Sequence, residues 1–225
     1  MPLKWRSATY GYVAPFVVFI GVMAVEHVLL PNSQIFYPLR FLIVLAVILL
    51  VSRPYLQLRP TMPLASIAIG IAVFLIWIGP DQLFGYGYRH SWLFDNALTG
   101  FASTTISKAM QANTWFLALR IIGSVALVPV IEELFWRGWL MRWLIHPNFE
   151  KVPLGTYSAS AFWIVAVLFA SEHGPYWEVG LIAGVIYNWW LIRTKNLADC
   201  ILAHAVTNAL LGAYVIASGQ WQYWL

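Results

Sequence analysis

The chain has 225 residues, 61% of them hydrophobic and 10% charged, where a soluble globular domain carries about 25% charged residues. That balance excludes a soluble domain and points to a membrane protein. The net charge of +4 is small, no nucleic-acid partner is expected, and the single cysteine, Cys200, excludes an intramolecular disulfide framework.

In chain order, apolar runs close to the roughly 20 residues that cross the hydrocarbon core lie at 11–30, 36–51, 63–79, 114–131, 157–170, 179–192 and 198–217. They lack the two-residue alternation of barrel strands, so the expected fold is all-α: a polytopic transmembrane helix bundle of seven or eight spans. The linkers are too short for a second folded unit, which makes residues 1–225 a single membrane domain. The first run has a basic start like a signal peptide, but its length and the lack of a small-x-small exit make it an uncleaved span. The long connection 80–111, rich in Gly and aromatic residues ("GPDQLFGYGYRHSWLF" from Gly79), is predicted as an interfacial loop or surface-lying helix. With Lys4 and Arg6 cytoplasmic, seven passes place Arg53, Arg59, Arg142, Lys151, Arg193 and Lys195 on the same side and Arg89 and Lys108 opposite, as the positive-inside rule prefers.

Polar groups within spans are costly and usually face a bundle interior or a water-filled cavity. Six sets stand out: Glu26/His27, Arg120, Glu132/Glu133/Arg137, Glu172/His173, Asn188 and Asp199/His204/Asn208. In "VPVIEELFWRGWL", Glu133 and Arg137 are one helical turn apart in the favourable order for an ion pair. Glu132 is rotated from that face by about 100° and has no partner on its own helix. A carboxylate so placed in a partly dry cavity is a candidate general base. In "FASEH", Phe169 flanks His173 at helical spacing. In "HAVTN", His204 and Asn208 share one face of the last span. Each alone reads equally well as a structural polar contact. Together, a carboxylate, two imidazoles and a carboxamide on three helices can converge on one point. Glu26 and Arg40 are expected to pair across the first two spans, with His27 joining them. Asp199 is expected to cap or orient a helix end, and Cys200 to pack. The thirteen tryptophans suit interfacial belts, so Trp189 and Trp190 are not read as a substrate cage.

The motifs E-E-x-x-x-R (Glu132, Glu133, Arg137), F-x-x-x-H (Phe169, His173) and H-x-x-x-N (His204, Asn208), in this order on successive spans, resemble those of the CPBP family of intramembrane proteases. That family includes the Ras-converting CAAX endopeptidases and bacterial bacteriocin-processing or immunity proteins. A fainter likeness is to the compact bacterial branch associated with exosortase sorting systems. The match covers the motif-bearing core, 114–217.

The resemblance implies an endopeptidase of the bacterial cytoplasmic membrane acting on a membrane-associated protein or peptide. Glu132, helped by His173, would activate water, while His204 and Asn208 would stabilise the oxyanion. Glu133 joins the catalytic group, with Arg137 and Phe169 as structural support. Glu132, His173 and His204 could also hold a divalent ion such as zinc. There is no H-E-x-x-H, and the pattern leaves metal-assisted and metal-free chemistry both open. The alternative is a non-enzymatic membrane protein, a transporter or a partner-binding immunity or scaffold protein, although no repeated halves are visible.

Overall fold

The computed structural model describes residues 8–29 and 36–224, apart from the side chains of His27, Leu29 and Tyr86. Lys4 and Arg6, used above for orientation, and the His27 side chain lie outside the described residues. Among those described the fold is all-helical, with one isolated β-bridge between Asn96 and Gly100.

Among the described residues, seven helical columns make the bundle. They are α1 (Ala8–Leu29), α2 (Tyr37–Val47, carried on by a π-helical turn at Ile48–Ser52) and α3 (Pro63–Phe84). A long column follows, made of α5 (Thr114–Ile122), α6 (Val128–Glu133) and α7 (Met141–Trp143). The last three are α8 (Ala159–Ser171), α9 (Trp177–Thr194) and α10 (Leu197–Ser218), while a short α4 (Lys108–Gln111) precedes the column. Among the described residues, five helices are long and apolar enough to cross a membrane: Ala8–Glu26, Tyr37–Tyr55, Pro63–Phe84, Thr114–Trp143 and Leu197–Ser218; α8 is apolar but shorter. The chain is a multi-pass membrane protein.

Two boundaries differ from the sequence reading, each for a physical reason. The dipeptide Gly79-Pro80 normally punctuates a helix, yet α3 runs on to Phe84. The added turn carries Asp81, which is buried and receives the Arg89 Nε hydrogen at 2.6 Å. The connection therefore starts at Gly85 and runs to Asn113 as a 3₁₀ turn (Tyr86–His90), irregular chain and α4, not as one surface helix. The column 114–143 is also not uniformly α-helical: π-helical turns at Gly123–Leu127 and Leu134–Leu140 bracket α6. Pro129 near the start of α6 removes a backbone donor, a known cause of such displaced bonding.

Interhelical contacts sort the connections onto two ends. At one, Arg89 NH1 donates to Pro175 O (2.7 Å), Trp177 Nε1 to Leu93 O (3.2 Å), Tyr176 OH to Gln222 O (3.2 Å) and Thr104 Oγ1 to Trp224 O (2.9 Å). Segments 85–113, 172–176 and 219–224 thus lie together. At the other, Asn196 Nδ2 donates to Arg59 O (3.1 Å), Arg142 NH1 to Val152 O (3.3 Å), and Arg142 lies over Tyr12 from the start of α1.

Asp199 joins α10 to α3. Its carboxylate accepts from Thr61 N (3.0 Å), Thr61 Oγ1 (2.6 Å), Met62 N (2.8 Å) and Ser66 Oγ (2.9 Å). The expected helix-orienting role falls on the neighbouring helix: Asp199 holds the two residues that lead into α3 and the Ser66 hydroxyl in its first turn. Glu26 and Arg40 pair at 2.9 Å. Trp190 is core and donates to Ser66 Oγ, while Trp189 is half exposed.

Candidate active site

Glu133 at the end of α6 and Arg137 in the π-helical turn that follows are fully buried and paired at 3.1 Å. The same carboxylate oxygen accepts His204 Nδ1 at 3.0 Å. Arg137 spends its other donors on Asn188 Oδ1 (2.9 Å) and Gly184 O (3.4 Å), and its guanidinium lies 4.4 Å from the Phe169 ring centroid. Asn188 in turn donates to Phe162 O at 2.8 Å. A chain of charge-assisted bonds therefore fixes one side of His204 to α8 and α9, a full set of partners of the kind a buried ion pair needs.

Glu132 points elsewhere. Its Oε2 is buried with no hydrogen-bond partner among the described residues, and His204 Nε2 stands 4.0 Å away, beyond hydrogen-bond range. His173, at the end of α8, donates Nδ1–H to Phe169 O at 2.7 Å, and its ring packs 4.7 Å from Phe169 and 5.1 Å from Trp77. That bond fixes the tautomer and leaves Nε2 as an acceptor. Asn208 donates Nδ2 to Ser124 O at 2.8 Å, with its second N–H still to give.

Glu132, His173, His204 and Asn208 line one cavity of about 170 Å³. Water needs about 10–15 Å³ per molecule, so the space admits water beside a peptide group. The remaining wall is largely apolar and aromatic: Trp77, Val128, Phe169, Leu211, Tyr223 and Trp224. Glu133 is not part of that wall; it stands behind His204. Glu172 turns away and accepts Trp136 Nε1 at 3.1 Å.

Residues 114–210 match the family model of Rce1-like type II CAAX prenyl endopeptidases. This segment is Rce1-like. It contains every motif residue from Glu132 to Asn208, whereas Trp77, Leu211, Tyr223 and Trp224 complete the cavity from outside it. No curated protein and no solved structure matches the chain.

Several residues of the Rce1-like segment carry the site without having been singled out. Tyr187 stacks on the His204 imidazole, with ring centroids 5.2 Å apart and planes at 22°. Its hydroxyl donates to Thr207 Oγ1 (2.8 Å), which donates to Gly70 O (2.9 Å) on α3. Asn188 was visible as an intramembrane polar residue, but its bond to Arg137 was not. Thr207 lies inside "HAVTN", and that position is its only signal. Cys200 is buried and its thiol donates to Tyr187 O at 3.6 Å, a packing role. As for a metal, no three His, Cys, Asp or Glu side chains among the described residues are spaced to hold one ion.

Proposed function

We propose that the protein is an intramembrane endopeptidase that hydrolyses a peptide bond of a membrane-associated protein or peptide, with Glu132 as the base for the attacking water. The observation that carries this reading is the convergence of Glu132, His173, His204 and Asn208, from three separate helical columns, on one cavity. Its apolar wall suits an apolar substrate segment and excludes competing water.

The water oxygen adds to the scissile carbonyl carbon while Glu132 takes its proton, and Nε2 of His173 orients that water. The carbonyl electron pair moves to oxygen, which accepts hydrogen bonds from the second N–H of Asn208 and from the His204 ring, whose Nδ1 side is held by Glu133. Collapse breaks the C–N bond as Glu132 passes the proton to the leaving nitrogen. All these steps use the chain's own groups.

The test is cleavage by the full chain in lipid vesicles of a quenched-fluorescent library of peptides with apolar segments, with products identified by mass spectrometry. Glu132→Gln is expected to lower turnover by about 10²–10⁴-fold, the usual contribution of a positioned acid or base, with the melting transition unchanged. A chelator should leave wild-type turnover intact; loss that zinc restores would give water activation to a metal instead. An inert wild type would favour the non-enzymatic binder, and a fully active Glu132→Gln would take the role of base away from Glu132.

A further inference from the structure

The end of the bundle formed by 85–113 exposes an unusual set of side chains. Leu83 (79% exposed) and Phe84 (70%) close α3, Trp92 (82%), Leu98 (96%) and Phe101 (64%) project from the irregular chain, and Trp115 (87%) opens α5. Single exposed apolar residues are ordinary, but six of this size on one connection and its two flanking helix ends are not. The segment is ordered from within. Phe94 is buried, the Asn96–Gly100 bridge closes a tight turn, and Asn96 Oδ1 accepts Leu98 N (2.8 Å) and Thr99 N (3.1 Å), which puts Leu98 at the tip. The cation it carries is turned inward: Arg89 is 2% exposed between Asp81 (2.6 Å) and Glu178 (2.8 Å). The charged groups left outward are exposed His90, which faces Asp95 at 3.5 Å, and Lys108.

We infer that segment 92–101 is a membrane-inserting tip, with Trp92, Leu98 and Phe101 seated in the lipid interface at this end of the bundle. The occupant of the patch is lipid because the patch is continuous with it: Leu83, Phe84 and Trp115 belong to spans whose outer faces are themselves exposed and apolar. Exposed tryptophan, leucine and phenylalanine form the composition that favours the headgroup–acyl boundary. Arg89 beside the tip is buried, and Asp95, the acidic residue of the tip, faces His90 and is partly covered. The segment also holds the turn bearing His173, through Arg89 to Pro175 O and Trp177 Nε1 to Leu93 O. The tip therefore seats that turn at a fixed depth.

The experiment places a nitroxide at Leu98→Cys, and separately at Phe101→Cys, in the full chain carrying Cys200→Ala, reconstituted at low density in phosphatidylcholine vesicles. A label at Glu150→Cys, on the exposed connection at the other end, is the aqueous reference. The ratio of collision rates with oxygen and with a water-soluble nickel chelate should be severalfold higher at 98 and 101 than at 150. Equal ratios at the three positions would overturn the inference. So would a label at 98 shielded from both reagents, since that signature means protein, including a second copy, covers the tip. Neither readout depends on peptidase activity, so this inference and the proposed function can fail separately.

Discussion

Glu133 is the residue on which two demands meet. One oxygen accepts both Arg137 and His204, and neither Glu133 nor Arg137 is exposed. Breaking a pair of this kind by removing one charge costs about 3–5 kcal/mol, because the remaining charge stays buried. Glu133→Gln should therefore lower the unfolding midpoint clearly, whereas Glu132→Gln, which leaves the Arg137 network intact, should not. Equal melting transitions for the two variants would contradict that division. Tyr187 offers a finer comparison. Tyr187→Phe keeps the ring on His204 and loses one hydroxyl bond, worth about 1 kcal/mol, so turnover should survive. Tyr187→Leu removes the stack and should lower kcat with KM little changed, as expected of a residue that positions His204 rather than binding substrate. A drop of equal size in both variants would assign the effect to the hydroxyl.

At the scale of helices, α8 and α9 meet through small residues. A side-chain carbon at Gly184 would stand 3.2 Å from Ala166 Cα, Ala166 O and Phe169 Cδ1. Close backbone approach through such positions is a common route to helix association in lipid. Gly184→Val should push α8 outward, moving Phe169 and His173 together and destabilising the fold by about 1–3 kcal/mol, the usual cost of overpacking. Turnover should fall more steeply than stability, because Gly184 O also receives Arg137; thermal denaturation read beside the cleavage assay separates the two. This level of structure was the least legible in sequence. "EELFWR", "FASEH" and "HAVTN" display their polar residues at helical spacing, so candidates could be named from one line of text. The partners of those residues come from afar. Asn188 reaches Arg137 across 51 residues, and Tyr187 reaches Thr207 across 20. Trp77 and Trp224, two walls of the cavity, lie beyond any motif. Hydropathy located most spans to within a few residues, but stopped the third at Gly79-Pro80, where a buried Asp81–Arg89 pair overrides the local break, and the fourth at Ile131, although that column runs on to Trp143 past the buried Glu133–Arg137 pair.

For the whole molecule, the contacts put Arg53, Arg59, Arg142, Lys151, Arg193 and Lys195 on connections or helix ends at the end where α1 begins, with Arg89 and Lys108 opposite. By the positive-inside rule we expect the cation-rich end to face the cytoplasm. We expect reporter fusions at residues 57 and 150 to read as cytoplasmic and one in segment 219–224 as external. Matching readings for residue 150 and the 219–224 segment would require a different number of crossings.

The Asp199 clasp bears on how such a bundle is made. The donors at the start of α3 find their acceptor 133–138 residues later in the sequence. While the ribosome has delivered only the first three spans, those groups have water as their partner, and α3 can sit in the bilayer without its final neighbour. Arrival of α10 then does two things at once: it ties down the 53–62 connection and carries His204 and Asn208 toward Glu132. On this arrangement the candidate cavity is complete only once α10 is in place. Asp199→Ala should yield protein that inserts with correct topology yet stays open to proteolytic nicking at 53–62, where the wild type is protected.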